Sequence, residues 1–363
     1  MYSFEPTDEQ KIIADAARKL AVKEFRTRMG DADEKSEPEP EWTRTGWELG
    51  LLPASIPEAY GGFGEHSALT AVLAAEELAW GDLAAALSLM APNLVAIPVL
   101  HCGTERQKKE MLPHFCTESH VCGSAALMEP RFDFDPNAPR TTAVRKDGAY
   151  ILSGDKCNVP FAAESEWILV YASLDGQGQA FLVPRGTPGL TVKEREKNMG
   201  MRAFPMYGVE FRDCAVPAPL RLGGDAGCDT ALLLNSSRVA LSAMAVGVAR
   251  AAYEFALDYA KNRKAFGEAI AQRQSIAFTL ADMATDIEAA RLMVWEAAWR
   301  LDGKKDAAHE AYGAMNFAGD TALMAADRAV QILGGYGYIR DYPVELYLRN
   351  ARGFGVLEGI AIV

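Results

Sequence analysis

The sequence predicts an α+β protein, mainly α, in three parts. These are an N-terminal helical domain (residues 1–123), a small antiparallel β domain of sandwich or barrel type (124–226), and a C-terminal four-helix bundle (227–363). Three observations carry the prediction. Apolar residues near the start recur at helical spacing. Short β-prone runs separated by turn clusters fill the middle. Long Ala/Leu-rich stretches with short links then run towards the end.

The elements follow in order. Thr7 with Gln10 three residues on forms a capping-box pattern, and Ile12, Ile13, Ala16, Leu20 and Ala21 continue it at helical spacing. Pro53 to Gly64 is rich in Pro and Gly and reads as a tight loop. An apolar helix is predicted from Ser67 to Trp80, with Asp82 capping the next, which carries Leu87, Met90, Leu94 and Ile97. Gly103 to Leu112 reads as a short helix.

From about 124 the pattern changes. Thr141–Val144, Ala149–Ser153, Trp167–Ala172, Ala180–Val183, Leu190–Lys193 and Gly208–Arg212 are β-prone, with turn clusters such as Lys146-Asp-Gly148 between them. After Gly223-Gly-Asp-Ala-Gly227, long helices are predicted over 231–261, 273–302 and 307–333. In the second, Ile276, Leu280, Met283, Ile287, Ala290 and Val294 form the apolar stripe of a bundle helix.

Composition narrows the function. A net charge of −12 argues against nucleic acid and against an anionic membrane surface. No uninterrupted run of 18 apolar residues occurs, and Met1-Tyr-Ser-Phe-Glu-Pro6 lacks the basic-then-apolar pattern of a secretory signal. A cytoplasmic protein is the expectation. The 6 cysteines are scattered without a CxxC, and the 5 histidines form no HExxH, so no metal site is expected. No GxGxxG follows a strand and no Walker A is present, which argues against a Rossmann domain and a P-loop.

One carboxylate stands out. Glu358 lies between Leu357 and Gly359 in an apolar stretch, and a carboxylate in apolar surroundings is a candidate general base. Arg263, at the end of a long helix, reads as a solvated face or a complement to the helix C-terminal dipole. Gln331 with Gly334 and Gly335 reads as a helix stop at a C-terminal glycine.

The order of these words resembles the acyl-CoA dehydrogenase family over nearly the whole chain. The words are Ile56-Pro-Glu-Ala-Tyr-Gly-Gly-Phe-Gly64 with Glu76-Glu-Leu-Ala79, and Asn198-Met-Gly-Met-Arg-Ala203 leading into Val209–Pro217. Arg263-Lys-Ala-Phe-Gly267, Gln274, Leu280-Ala-Asp-Met283, Gln331-Ile-Leu-Gly-Gly-Tyr-Gly-Tyr338 and Tyr342-Pro-Val-Glu345 complete the set.

The resemblance implies FAD as cofactor and assigns residues to it. Ala125-Ala-Leu-Met-Glu-Pro130 is similar to the loop that lines the flavin ring, with Leu127 and Met128 at the flavin-facing positions. Asn158 and Pro160 occupy places where many members carry a Trp and a hydroxyl residue beside the flavin. Arg263 matches the residue that pairs with the FAD pyrophosphate, and Phe266 and Gln274 belong to the same region. Gln331, Gly334 and Gly335 match contacts to FAD across a subunit interface. Arg238 matches an arginine that supports the substrate side, and Gly359 follows the base there. Some members carry their catalytic Glu where this chain has Ser237, which leaves Glu358 as the base. The family generally continues with Thr and Gln, which touch FAD, and a further helix. This chain reads Ile360-Ala-Ile-Val363, so either the sequence extends further or those contacts are lacking.

The implied reaction is α,β-dehydrogenation of an acyl-CoA to the trans-2-enoyl-CoA. Glu358 takes the α-proton, flavin N5 takes the β-hydride, and hydrogen bonds to the thioester carbonyl stabilise the enolate. The implied assembly is a homotetramer or dimer of dimers that passes electrons to an electron-transfer flavoprotein. An acyl-CoA oxidase, a dehydrogenase of carrier-protein thioesters and a non-catalytic partner subunit are the alternative readings.

Overall fold

The computed structural model describes residues 5–363. Helix α1 (Asp8–Leu20) starts at Thr7 with the predicted capping box in place. One π-helical turn (Ala21–Phe25) then leads into α2 (Arg26–Lys35), so the chain stays helical where the apolar spacing had run out. Ile12, expected on the apolar stripe, is instead 68% exposed. After α3 (Pro40–Trp47) comes the predicted tight loop, where a Cβ at Gly62 would lie 2.0 Å from the Ile56 carbonyl oxygen. Then come α4 (Ala68–Gly81), capped by Ser67, and α5 (Leu83–Met90), capped by Asp82. Helices α6 (Asn93–Cys102) and α7 (Glu105–Met111) close the domain.

The β domain holds one sheet of β1 (Ser124–Ala126), β2 (Thr142–Lys146), β3 (Ala149–Pro160), β4 (Trp167–Leu174), β5 (Gln177–Pro184), β6 (Leu190–Arg195) and β7 (Met206–Pro217). The order is β1-β4-β2-β3-β7-β6, with β5 on β4. Most pairings are antiparallel, but β1 and β2 run parallel to β4. Those two neighbours join β4 through long connections, which is what parallel pairing requires. Spacing alone did not show this, and β1 was too short to be read as a strand. One face of the sheet buries Leu152, Val170, Phe181, Val209 and Phe211 as a separate core.

The bundle is α8 (Thr230–Asn262), α9 (Gln274–Asp302), α10 (Ala308–Leu333) and, after the short α11 (Gly335–Tyr338), α12 (Val344–Ala351). A small hairpin, β8 (Lys264–Ala265) and β9 (Glu268–Ala269), joins α8 to α9. Helix α8 is long and apolar enough to cross a membrane, although Arg238 and Arg250 interrupt its apolar run. Its most apolar window is 83% buried by the protein, as the central helix of a bundle should be. Small residues let helices close on it. A Cβ at Gly247 would lie 2.3 Å from the Glu76 carbonyl oxygen of α4.

A buried ion-pair network fastens the first domain to this bundle. Glu76, 5% exposed, accepts from Arg250 of α8 at 2.6 Å and from Arg291 of α9 at 2.9 Å. Removing one partner of such a network strands buried charge, at a cost of about 3–5 kcal/mol. Glu76→Ala is therefore expected to lower the unfolding free energy in urea by about that amount. A loss below about 1 kcal/mol, the range of surface ion pairs, would show that the network does not join the domains.

Candidate active site

After α12 the chain makes a 3-10 turn (Arg352–Gly355) and reaches Leu357 and Glu358. Leu357 and Gly359 are buried and Glu358 is half-buried. The expectation of a wholly apolar setting for this carboxylate is corrected here. Arg238 Nε donates to Glu358 Oε1 at 2.7 Å, across 120 residues of sequence. The neighbours in sequence are apolar, but α8 brings a guanidinium from far away. Arg238 in turn lies 5.1 Å from the ring centroid of Tyr312 on α10. Among the described residues, no hydrogen-bond donor or cation pairs with Glu358 Oε2.

The Glu358 N–H points at Met128, donating to its Sδ at 3.4 Å. A thioether is a weak acceptor, so a carbonyl oxygen would compete well for that N–H. Gly359 makes the close approach possible. It has a φ of +74°, and a Cβ there would lie 2.6 Å from Leu127 Cδ2. Leu127, Met128, Arg238, Glu358 and Gly359 thus meet at one point.

Behind Leu127 and Met128 lies a buried lashing that the sequence reading did not pick out. Lys156 Nζ, on β3, donates to the Leu127 carbonyl at 2.9 Å and to Glu129 Oε1 at 3.1 Å. Glu129 also accepts from the N–H groups of Thr141 at 2.8 Å and Arg140 at 2.9 Å, and from Arg131 Nε at 2.9 Å. Burial alone would raise the Glu129 carboxyl. Lys156 and these donors override it and hold the group at about 2. Burial pulls Lys156 below the ordinary lysine value in spite of its partner. Opposite charges flanking two apolar β runs were the available sequence signal.

Asn158 and Pro160 sit on β3 next to this lashing. Asn158 has a φ of +50° and lies where the register to β7 slips, between Lys156 and Val159. Its N–H donates to Glu196 Oε1 at 3.1 Å, and Pro160 is buried opposite Met206.

The remaining residues inferred from the sequence gather elsewhere. Arg263, Gly334 and Gly335 line an open cleft of about 570 Å³ with Tyr259, Ile332 and Tyr336. Arg263 is exposed, lies 5.7 Å from the Tyr336 ring, and has no carboxylate within ion-pair distance among the described residues. Among the described residues, no atom beyond the adjoining chain lies within 4 Å of a Cβ built on Gly334 or Gly335. An unpaired arginine beside a bare glycine shelf fits a large anionic ligand such as a dinucleotide pyrophosphate. Gln331 is exposed on α10, one turn before Gly334, and Gln274 is exposed at the start of α9. Phe266 stands at the tip of the β8–β9 hairpin, 95% exposed, and does not line the cleft. Among the described residues no cluster of His, Cys, Asp or Glu could hold a metal ion.

Family models for the N-terminal, middle and C-terminal domains of acyl-CoA dehydrogenase match residues 7–119, 124–214 and 229–361. The chain belongs to the acyl-CoA dehydrogenase family. It is 37% identical over 355 residues to the cyclohex-1-ene-1-carbonyl-CoA dehydrogenase of Geobacter metallireducens, covering 95% of this chain and 93% of that one. The butyryl-CoA dehydrogenase of Megasphaera elsdenii superposes with a TM-score of 0.90 at 34% identity, over 99% and 96% of the two chains. PigA, in a structure with FAD and proline, superposes with a TM-score of 0.89 at 26% identity, over 98% and 95%. Like its relatives, this acyl-CoA dehydrogenase family member is an oxidoreductase.

The Glu129 carboxyl links acid stability to this site. Its folded value of about 2 lies below the ordinary 4.5, so its contribution is complete above 4.5 and is lost as pH falls towards 2. In urea titrations Glu129→Gln should cost about 3 kcal/mol at neutral pH, and the gap from the unsubstituted protein should narrow on acidification. A gap that stays constant or widens in acid would contradict the assignment.

Proposed function

We propose that the protein oxidises an acyl-CoA thioester to the trans-2-enoyl-CoA, with Glu358 as the base that removes the α-proton. The observation that carries this is the setting of Glu358. Among the described residues, one carboxylate oxygen is held by Arg238 and the other has no partner, beside a backbone N–H with only a thioether to bind. The free oxygen suits a proton acceptor, and the N–H suits a thioester carbonyl. As the α-proton leaves, negative charge moves onto that carbonyl oxygen. The Glu358 N–H stabilises it in the manner of an oxyanion hole. Arg238 keeps the carboxylate in one orientation, so the encounter does not rely on a free rotor.

FAD, when bound, supplies the acceptor for the hydride that leaves the β-carbon. Arg263, Gly334 and Gly335 would hold its pyrophosphate region. The loop at Leu127 and Met128, lashed by Lys156, would face its ring. Electrons leave to an electron-transfer flavoprotein, and the working assembly is a homotetramer or dimer of dimers in the cytoplasm. Exposed Phe266, Phe278, Tyr336 and Tyr338, on or near the elements that form the Arg263 cleft, support a second copy at that face.

Anaerobic mixing with an acyl-CoA tests the reaction. The flavin of the purified holoenzyme should bleach, and Glu358→Gln should keep its FAD yet bleach at least about 1,000-fold more slowly. Bleaching of the variant at the original rate would exclude Glu358 as the base.

A further inference from the structure

The bond that holds Glu358 does not by itself fix the group that makes it. Arg238 donates to Glu358 Oε1 through Nε alone, at 2.7 Å. A guanidinium that grips a carboxylate with two parallel N–H bonds fixes the planes of both groups. A single Nε bond leaves the guanidinium free to roll about it. Among the described residues no second carboxylate lies within ion-pair distance of Arg238. Its neighbours one turn away on α8, Leu234, Asn235, Leu241 and Ser242, carry no charge.

The Tyr312 ring supplies the missing constraint. Its centroid lies 5.1 Å from the Arg238 guanidinium carbon. A cation over an aromatic face is attracted by the ring's quadrupole, more strongly as the cation loses water. Arg238 has lost most of its water, with a side chain 12% exposed. The ring is itself well placed. Helix α10 packs along α8, and its small residues Ala311, Ala314 and Ala318 are fully buried, so the two helices lie close. The Tyr312 hydroxyl has no hydrogen-bond partner among the described residues, so the ring face carries the contact. We infer that Tyr312 is a positioning residue for the reaction. Its ring fixes the plane of the Arg238 guanidinium and, through it, the direction in which Glu358 presents its free oxygen. This inference rests on the reading of Glu358 as the base.

Anaerobic single-turnover bleaching of the bound flavin tests it, with whichever of butyryl-, octanoyl- and palmitoyl-CoA reduces the holoenzyme fastest. Tyr312→Leu keeps an apolar side chain and removes the ring. At saturating thioester it should bleach about fivefold more slowly, the scale of one cation–π contact. The concentration giving half the maximal rate should move by less than about twofold, because the lost contact acts on the proton transfer and not on thioester binding. Tyr312→Phe keeps the ring and should recover most of the loss. In an Arg238→Gln background Tyr312→Leu should slow bleaching no further, because the ring then has no cation to hold. The ring is 56% exposed, so these variants should fold, and Tyr312→Met replaces the leucine variant if it does not. A leucine variant at the original rate, a loss that phenylalanine does not recover, or an equal loss in the Arg238→Gln background would each overturn the role of Tyr312 while leaving the dehydrogenase reading intact. Failure of every thioester to bleach the unsubstituted holoenzyme would remove both.

Discussion

The structure turns on a close contact that only glycine allows. Gly359 presses against Leu127, and this holds the Glu358 backbone against Met128 while its carboxylate reaches Arg238. Three parts of the chain meet there. The β domain supplies Leu127 and Met128, α8 supplies Arg238, and the segment after α12 supplies Glu358 and Gly359. None of these parts holds the Arg238–Glu358 pair alone, so the arrangement exists only when all three are docked. A side chain at 359 would meet Leu127 well inside contact distance while sitting at positive φ. Either would push the carboxylate away from its guanidinium.

Docking of that kind needs fixed register more than raw stability. The apolar cores of the β domain and the bundle supply most of the free energy. Apolar contact is non-directional, however, and tolerates small slips. The buried ion pairs supply direction. Glu76 ties α4 to α8 and α9 in one arrangement, and Glu129 with Lys156 fixes the loop at Leu127 against β3. Buried pairs of this sort add little net stability over apolar replacements but penalise any arrangement that leaves them unpaired. Their positions, at a domain junction and behind the candidate active site, fit that role.

Much of the fold was legible because its signals are local. The capping box at Thr7, the caps at Ser67 and Asp82, and the stripe from Ile276 to Val294 all lie within a few residues of the elements they specify. What stayed hidden depends on distance in sequence. The parallel pairing of β1 and β2 with β4 is set by the path of the chain. The pairing of Arg238 with Glu358 changed a carboxylate that read as apolar into a partnered one. Within the site, the motif words singled out Leu127 and Met128 for the flavin and Arg238 and Gly359 for the substrate, and the structure brings all four next to Glu358. The words did not show that Lys156 sits underneath, or that Ile360–Val363 turns inward between α6 and α8. Phe266, which the resemblance assigns to the cofactor, crowns the β8–β9 hairpin and is exposed in the single chain.

The central claim is that Glu358 takes a proton from the carbon next to a thioester. Hydrogen exchange reads that step directly, apart from electron transfer. The holoenzyme and its Glu358→Gln variant would be incubated anaerobically with butyryl-CoA in heavy water, and deuterium at each carbon followed by NMR. The account predicts deuterium at the α-carbon with the unsubstituted enzyme and none above background with the variant. Equal α-exchange by both proteins would contradict it.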